Sequence, residues 1–254
     1  MSMKEVFSVV SGRMSEGKTT LVTNLAVLMT QKGYRVAVID FDPSLTALSS
    51  ICRIDDVPLT AKNVLEGFAD VDDILYRGVS GVLVVPAGMG IKEFRKNGFR
   101  DLLEKVAESA DILFLDFPGG FGKESVLTIH ASTSVLAVMR LDVDSLRASL
   151  PVPRIAERLK ANFVGVVVNQ KMNGEVKVDE VEMLIGNVIG EIPYDDAVKK
   201  SANTGTPIIF SSPASKVSRI LNEIAEALSV WLGSFKGDRR EIVARSKLFK
   251  ALCP

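Results

Sequence analysis

The run Ser11-Gly12-Arg13-Met14-Ser15-Glu16-Gly17-Lys18-Thr19-Thr20 has the residue types and spacing of a phosphate-binding loop, Gly12 through Thr19. Gly12 and Gly17 let the backbone curl so that its N–H groups face an anion, and Lys18 supplies a point charge toward the β- and γ-phosphates of a nucleotide. The Thr19 hydroxyl is a ligand type suited to Mg²⁺. Two carboxylate motifs follow. Val38-Ile39-Asp40-Phe41-Asp42-Pro43 sets Asp40 and Asp42 on the same side of an extended chain, where one can hold a Mg²⁺-bound water and the other can orient an attacking water. Ile112-Leu113-Phe114-Leu115-Asp116-Phe117-Pro118-Gly119-Gly120 ends an apolar run in Asp116, the form of a metal-side carboxylate, before glycines that admit a γ-phosphate to the backbone. Each motif alone also reads as a turn. Their occurrence together, in this order, favours phosphoryl chemistry.

These residues need elements to position them. Val6 to Val10 reads as a short buried strand, and Thr19 to Lys32 carries Leu21, Leu25, Leu28 and Met29 at helical spacing. The loop therefore joins a strand to a helix N-terminus, a natural anion site. Further strand-like runs lie at Val36–Ile39, Val82–Val85, Ile112–Leu115, Val135–Met139, Val164–Val168 and Val188–Ile192. Amphipathic helical patterns fall between most of them, as at Phe99 to Ala107, and another runs from Val217 to Trp231. Strands apolar on both faces, alternating with helices, predict an α/β fold: a doubly wound, mostly parallel sheet with helices on both faces. Ligands of such sheets sit at the carboxyl ends of the strands, which is where Asp40 and Asp116 fall.

With 254 residues, 47% hydrophobic and 24% charged, the chain can bury a core as one α/β domain. Lys+Arg and Asp+Glu balance at 31 each, so bulk charge points to no specific nucleic-acid partner. Cys52 and Cys253 form no CxxC, which argues against a disulfide scaffold, a zinc site or an iron–sulfur site. The N-terminus enters the first strand without a leader pattern and no apolar run is long enough to span a bilayer, so a cytoplasmic protein is expected. His130 is the single histidine, with no partner for a metal site or a histidine-based triad, and reads as a packing residue. Trp231 reads as a core anchor of the last body helix.

Composition shifts at Gly233-Ser-Phe-Lys-Gly-Asp238, giving an expected body over 1–232 and a linker with a basic amphipathic helix over 233–254. On a helical wheel Ile242, Leu248, Phe249 and Leu252 share one arc and Arg239, Arg240, Lys247 and Lys250 gather opposite, while Glu241 and Arg245 intrude on the apolar arc. Such a helix reads as an interfacial membrane anchor, or as a segment that docks on the body or on a partner protein.

Taken together, the chain resembles the MinD/ParA-type deviant Walker ATPases, and most closely their MinD branch. The resemblance rests on Gly12–Thr20, Asn24-Leu25-Ala26-Val27, Gly33-Tyr34-Arg35-Val36, Asp40-Phe41-Asp42, Asp116-Phe117-Pro118-Gly119-Gly120, Gly165-Val166-Val167-Val168-Asn169, Gly190-Glu191-Ile192-Pro193-Tyr194-Asp195 and Gly205-Thr206-Pro207. It implies ATP and Mg²⁺ as cofactors, ATP hydrolysis, and a switch from monomer to a face-to-face homodimer with nucleotide between the subunits. By the same resemblance Gly12, Met14, Ser15, Glu16, Gly17, Lys18, Thr19 and Thr20 surround the phosphates, with Thr19, Asp40 and Asp116 on the metal side. Asp42 positions the hydrolytic water, Gly120 lies on the γ-phosphate side, Asn169 hydrogen-bonds the adenine, and Pro193 and Asp195 line the base pocket. The resemblance also implies membrane association in the ATP state, an activating or recruited protein partner, and spatial positioning of the cell-division machinery.

The family's loop carries a signature lysine after the first glycine and two glycines behind it; here Arg13, Met14 and Ser15 stand there, followed by Glu16. Arg13 keeps the charge expected to reach a partner's phosphates, and its planar fork suits phosphate oxygens. Glu16 places negative charge beside a polyanion site and is expected to cost affinity unless it faces solvent or pairs with Arg13. Slow hydrolysis is the expectation. The alternatives are a nucleotide-sensing scaffold with little turnover that recruits a partner, and a ParA-like DNA partition ATPase, which the neutral body disfavours. An iron–sulfur carrier lacks its cysteine pair, and a tyrosine kinase of this fold lacks a tail tyrosine cluster.

Overall fold

The computed structural model describes residues 5–41, 57–88, 99–120, 122–172 and 174–234. Asp42, Cys52, Cys253 and the basic tail from residue 235 onward lie outside the described residues. The strands are β1 (Glu5–Ser11), β2 (Val36–Asp40), β3 (Tyr76–Arg77), β4 (Leu83–Pro86), β5 (Ile112–Asp116), β6 (Ser134–Met139), β7 (Asn162–Lys171) and β8 (Val188–Pro193). They form one sheet in the order β3-β4-β2-β5-β1-β6-β7-β8. Every pairing is parallel except β3 with β4.

The helices are α1 (Lys18–Gln31), α2 (Ala61–Leu65), α3 (Phe99–Ser109), α4 (Lys123–Ala131), α5 (Val143–Ser149), α6 (Val152–Arg158), α7 (Val178–Leu184), α8 (Asp196–Asn203), α9 (Ile208–Ser211) and α10 (Lys216–Ser234). Alternation along the strands sorts the core into two layers. Phe7 and Val9 of β1, with Val36, Val38, Ile112 and Phe114, pack under Leu21, Leu25 and Leu28 of α1 and Leu221, Ile224 and Leu228 of α10. On the opposite face Val6, Ile39, Leu113 and Leu115 meet Leu102 and Val106 of α3. Val10, Val135, Ala137 and Val166 there meet Ile129 of α4, Val152 and Ala156 of α6 and Val181 of α7. The sheet is thus covered on both faces, as a parallel sheet must be.

The strand expectations hold with small shifts, β7 being longer at both ends than Val164–Val168. Helix α1 departs more: Leu21 through Met29 are all buried, because the helix is wedged between the sheet and α10 rather than lying on a surface. Trp231 is partly buried against the same core, and His130 is buried on α4. Strand β3, too short for any periodic signal, is held by the Tyr76 hydroxyl, which donates to the Leu59 carbonyl (2.9 Å) and accepts from the Leu59 N–H (3.1 Å).

Candidate functional site

Because the strands from β1 to β8 run parallel apart from β3, their carboxyl ends share one edge. That edge collects Ser11, Asp40, Asp116, Met139, Lys171 and Pro193 as strand termini. Strand β1 lies between β5 and β6 while its chain continues to β2 on the far side of β5, so the loop after β1 opens at a change in winding direction.

The loop from Gly12 to Gly17 leaves β1 and enters α1 directly. Gly17 is the N-cap at φ 87°, a left-handed conformation that a side chain would strain, and a Cβ there would stand 2.1 Å from the Asn169 Nδ2. Lys18 is buried, and its Nζ donates to the Ser11 Oγ (2.7 Å), which in turn donates to the Arg13 carbonyl (2.6 Å). The lysine, the first residue of α1, is thus folded back across the loop that precedes it. A Cβ on Gly119 would meet the Met14 Cα at 2.5 Å and the Lys18 Nζ at 2.9 Å, so the turn after β5 closes on the loop from the other side. Thr19 and Thr20, on the first turn of α1, are half-buried.

The acidic wall is set by register. Asp40 on β2 is paired directly with Asp116 on β5, both are buried, and the Phe41 N–H continues the ladder to the Asp116 carbonyl (2.9 Å). Two carboxylates side by side at the strand ends, a lysine and a threonine at the loop form a donor set suited to a divalent cation with a polyphosphate. Among the described residues no three His, Cys, Asp or Glu side chains are grouped to hold a metal by themselves. This composition fits Mg²⁺, which keeps waters and phosphate oxygens in its shell and takes only one or two carboxylates.

Other residues singled out from the sequence take these places. Asn169, near the end of β7, donates through Nδ2 to the Glu16 carbonyl (2.8 Å). Pro193 ends β8, and Asp195 caps α8 by accepting from the Ala197 N–H (2.8 Å). Gly120 adopts φ 112° beyond Asp116. The position of Asp42 lies outside the described residues.

The loop's substituted positions behave in ways that their identities alone did not reveal. Ser15 stands at φ 60°, so the fold holds a non-glycine residue in the left-handed region. Met14 is 72% exposed at the loop tip. The Arg13 guanidinium turns to Asp142, its Nη1 donating to Oδ1 (2.9 Å). Glu16 neither faces solvent nor pairs with that guanidinium. It is buried, accepts the Ser145 hydroxyl, and accepts from the Arg13 backbone N–H at 3.4 Å. Burial pushes its carboxyl above the ordinary range, while the Ser145 hydrogen bond, the Arg13 N–H and the Lys18 charge pull it down. Asp142 and Ser145 were not singled out from the sequence, and Ser11 and Gly119 only as members of their motifs. Asp142 three residues before Ser145 after a strand signals a helix start, but nothing local signals that both would meet the loop.

The sequence profile of the CobQ/CobB/MinD/ParA nucleotide binding domain matches residues 7–208. An uncharacterized ATP-binding protein of Methanocaldococcus jannaschii is 34% identical over 232 residues, covering 89% of this chain and 88% of that protein. The septum site-determining protein MinD of Buchnera aphidicola is 30% identical over 230 residues, covering 82% and 85%. Among solved structures, MinD from Pyrococcus horikoshii complexed with Mg-ADP superposes with a TM-score of 0.81 at 22% identity, covering 91% of this chain and 98% of that one. This last likeness is one of fold.

Proposed function

The chain belongs to the CobQ/CobB/MinD/ParA family of nucleotide-binding domains, and from that premise we propose that it is a slow, Mg²⁺-dependent ATPase whose ATP-bound homodimer associates with membrane through the 233–254 tail. The observation that carries this reading is the buried Lys18 of a strand–loop–helix unit, its Nζ on Ser11 at the end of β1, on the same sheet edge where Asp40 and Asp116 are paired. In this reading the loop N–H groups and Lys18 bind the β- and γ-phosphates, and Thr19, Asp40 and Asp116 hold the cation and its waters. Bound Mg²⁺ supplies charge neutralisation on the transferring phosphoryl group. Asp42 orients the attacking water, Gly120 approaches the γ-phosphate, and Asn169, Pro193 and Asp195 border the base.

Exposure of Met14 beside the loop supports burial of this edge against a second copy. One short basic helix binds lipid weakly, so a dimer presenting two such helices couples nucleotide state to membrane attachment. Among the described residues no helix is long and apolar enough to cross a membrane. Cytoplasmic residence with reversible peripheral attachment, a protein partner that stimulates or is recruited, and a role in positioning the division machinery complete the proposal. The likeness to a septum site-determining MinD protein supports the last of these.

Calorimetry with Mg·ATP and phosphate release from wild type and Asp42→Ala test the site. Uptake of ATP with turnover lost in Asp42→Ala is expected, and equal release from both rejects the water-orienting role. Liposome sedimentation of the full chain and of a chain ending at Gly233, each with ATP or ADP, tests the tail. A second reading, a nucleotide-sensing scaffold with little turnover, is favoured by Arg13 lying on its own subunit's Asp142 rather than open toward a partner. Wild-type phosphate release separates the two.

A further inference from the structure

The turn that opens α5 contacts the phosphate loop at two substituted positions at once. The Ser145 hydroxyl donates to the buried Glu16 carboxylate, and Asp142 accepts from the Arg13 guanidinium at 2.9 Å. The same two residues are locked to each other, because the Asp142 Oδ1 caps the helix by accepting from the Ser145 N–H at 2.9 Å. The Ser145 Oγ also accepts from the Arg140 N–H at 3.0 Å, and Arg140 lies 3.9 Å from the other Asp142 oxygen. Gly12 closes against this helix too, since a Cβ there would stand 2.4 Å from that of Ala148.

We propose that Asp142 and Ser145 are positioning residues of the phosphate loop: Ser145, through Glu16, holds the loop in its receiving curl, and Asp142 holds Arg13 on its own subunit until phosphate competes for it. The inference rests on the nucleotide reading of the loop. Its physical basis is that Ser15, a residue with a side chain, sits in the left-handed region that glycine favours. A curl that backbone freedom does not favour needs external support. Glu16 supplies it by reaching inward to a hydroxyl fixed by the Asp142 cap and the Arg140 N–H. The Arg13–Asp142 pair is different in kind: its side chains are 47% and 34% exposed, so it is weak and readily displaced by a polyanion.

The two contacts therefore predict opposite effects, which a merely structural role for the turn would not give. Ser145→Ala strips the hydroxyl from a buried carboxylate and is expected to weaken Mg·ATP binding about tenfold and to speed amide exchange across residues 12–19, with α10 unchanged. Asp142→Asn keeps the helix cap, since asparagine caps as well as aspartate. It removes the charge that pairs with Arg13, leaving a neutral amide oxygen that holds the guanidinium less strongly, and is expected to tighten Mg·ATP binding by up to about fivefold at low salt, with the gain fading at high salt. Calorimetry and hydrogen exchange on the full chain read both variants. Wild-type affinity and wild-type loop exchange in Ser145→Ala overturn the proposal. So does weakened binding in both variants with a common loss of melting temperature. If the wild-type chain takes up no ATP, the function proposed above fails, and loop exchange in Ser145→Ala without nucleotide then decides whether the turn holds the loop.

Discussion

The two ends of the same strands use polar residues to opposite purposes. At the amino edge, polar groups are closed on one another. Glu5 is buried and accepts the Ser134 hydroxyl; the Thr133 Oγ1 accepts from the Val6 N–H (2.9 Å) and donates to the Val6 carbonyl (3.1 Å). Arg35 binds Asp111 through two guanidinium contacts (3.2 and 2.7 Å) and its backbone N–H (3.0 Å). At the carboxyl edge the charged groups are gathered beside the loop. Asp40 is paired in register with Asp116, Lys18 turns back across the loop to Ser11, and the turn at Gly119 closes on Met14 and Lys18. Buried polar groups that complete one another stabilise a fold, whereas two carboxylates, a buried lysine and a glycine-bounded loop on one edge supply the donor types of a cation–polyphosphate site. The amino edge is therefore read as structural and the carboxyl edge as the ligand site.

The sharpest way to break this contrast is Lys18→Ala. It should lower Mg·ATP affinity on the order of a hundredfold in calorimetry, with little change in melting temperature; an unfolded variant would move Lys18 to the structural side. Its mirror is Ser134→Ala, which leaves the Glu5 carboxylate buried without that hydroxyl. Denaturant unfolding should show a loss of about 1–3 kcal/mol, and ATP affinity should stay at the wild-type value.

Glu16 tests whether the carboxyl edge stores a cost. Its folded-state pKa is raised by burial, so the folded chain binds this proton more readily than the unfolded chain. Its contribution to stability is then greatest below the ordinary carboxylate pKa and is lost as pH rises through the raised folded value. Glu16→Gln removes that slope, and melting curves from acid to neutral pH should show the variant gaining on wild type as pH rises. The smallest effect expected is from Ser15→Gly, which relieves a left-handed serine at the expense of a more flexible unfolded chain. Thermal unfolding should register a net gain of about 1 kcal/mol or less.

Much of the frame was readable in advance because it depends on short-range periodicity. Val36 to Ile39 and Ile112 to Leu115 announce strands by composition alone, and the aspartate that ends each run falls at the sheet edge as a consequence. Helix α1 was legible as a helix but not as one buried nearly all round, since that depends on α10 crossing over it from far along the chain. Glu16 was legible as an anomaly beside a phosphate site. Where its carboxylate goes was not, because Ser145 lies in another crossover and its nearness follows only from β6 pairing with β1.

By itself, the sequence determined the strand–loop–helix unit, the acidic strand ends, the alternation that puts helices on both faces, and the family to which these motifs correspond. Those properties are local: residue type and spacing set backbone conformation and which side chains share a face. Only the tertiary structure decided that Asp40 and Asp116 stand in register, that Lys18 folds onto Ser11, and that Arg13 and Glu16 are held by the cap and first turn of α5. These contacts depend on how the loop closes and on strand order and register, which set Asp40 beside Asp116 and bring Arg13 and Glu16 to residues 129 positions away, and no local spacing encodes which of them will meet.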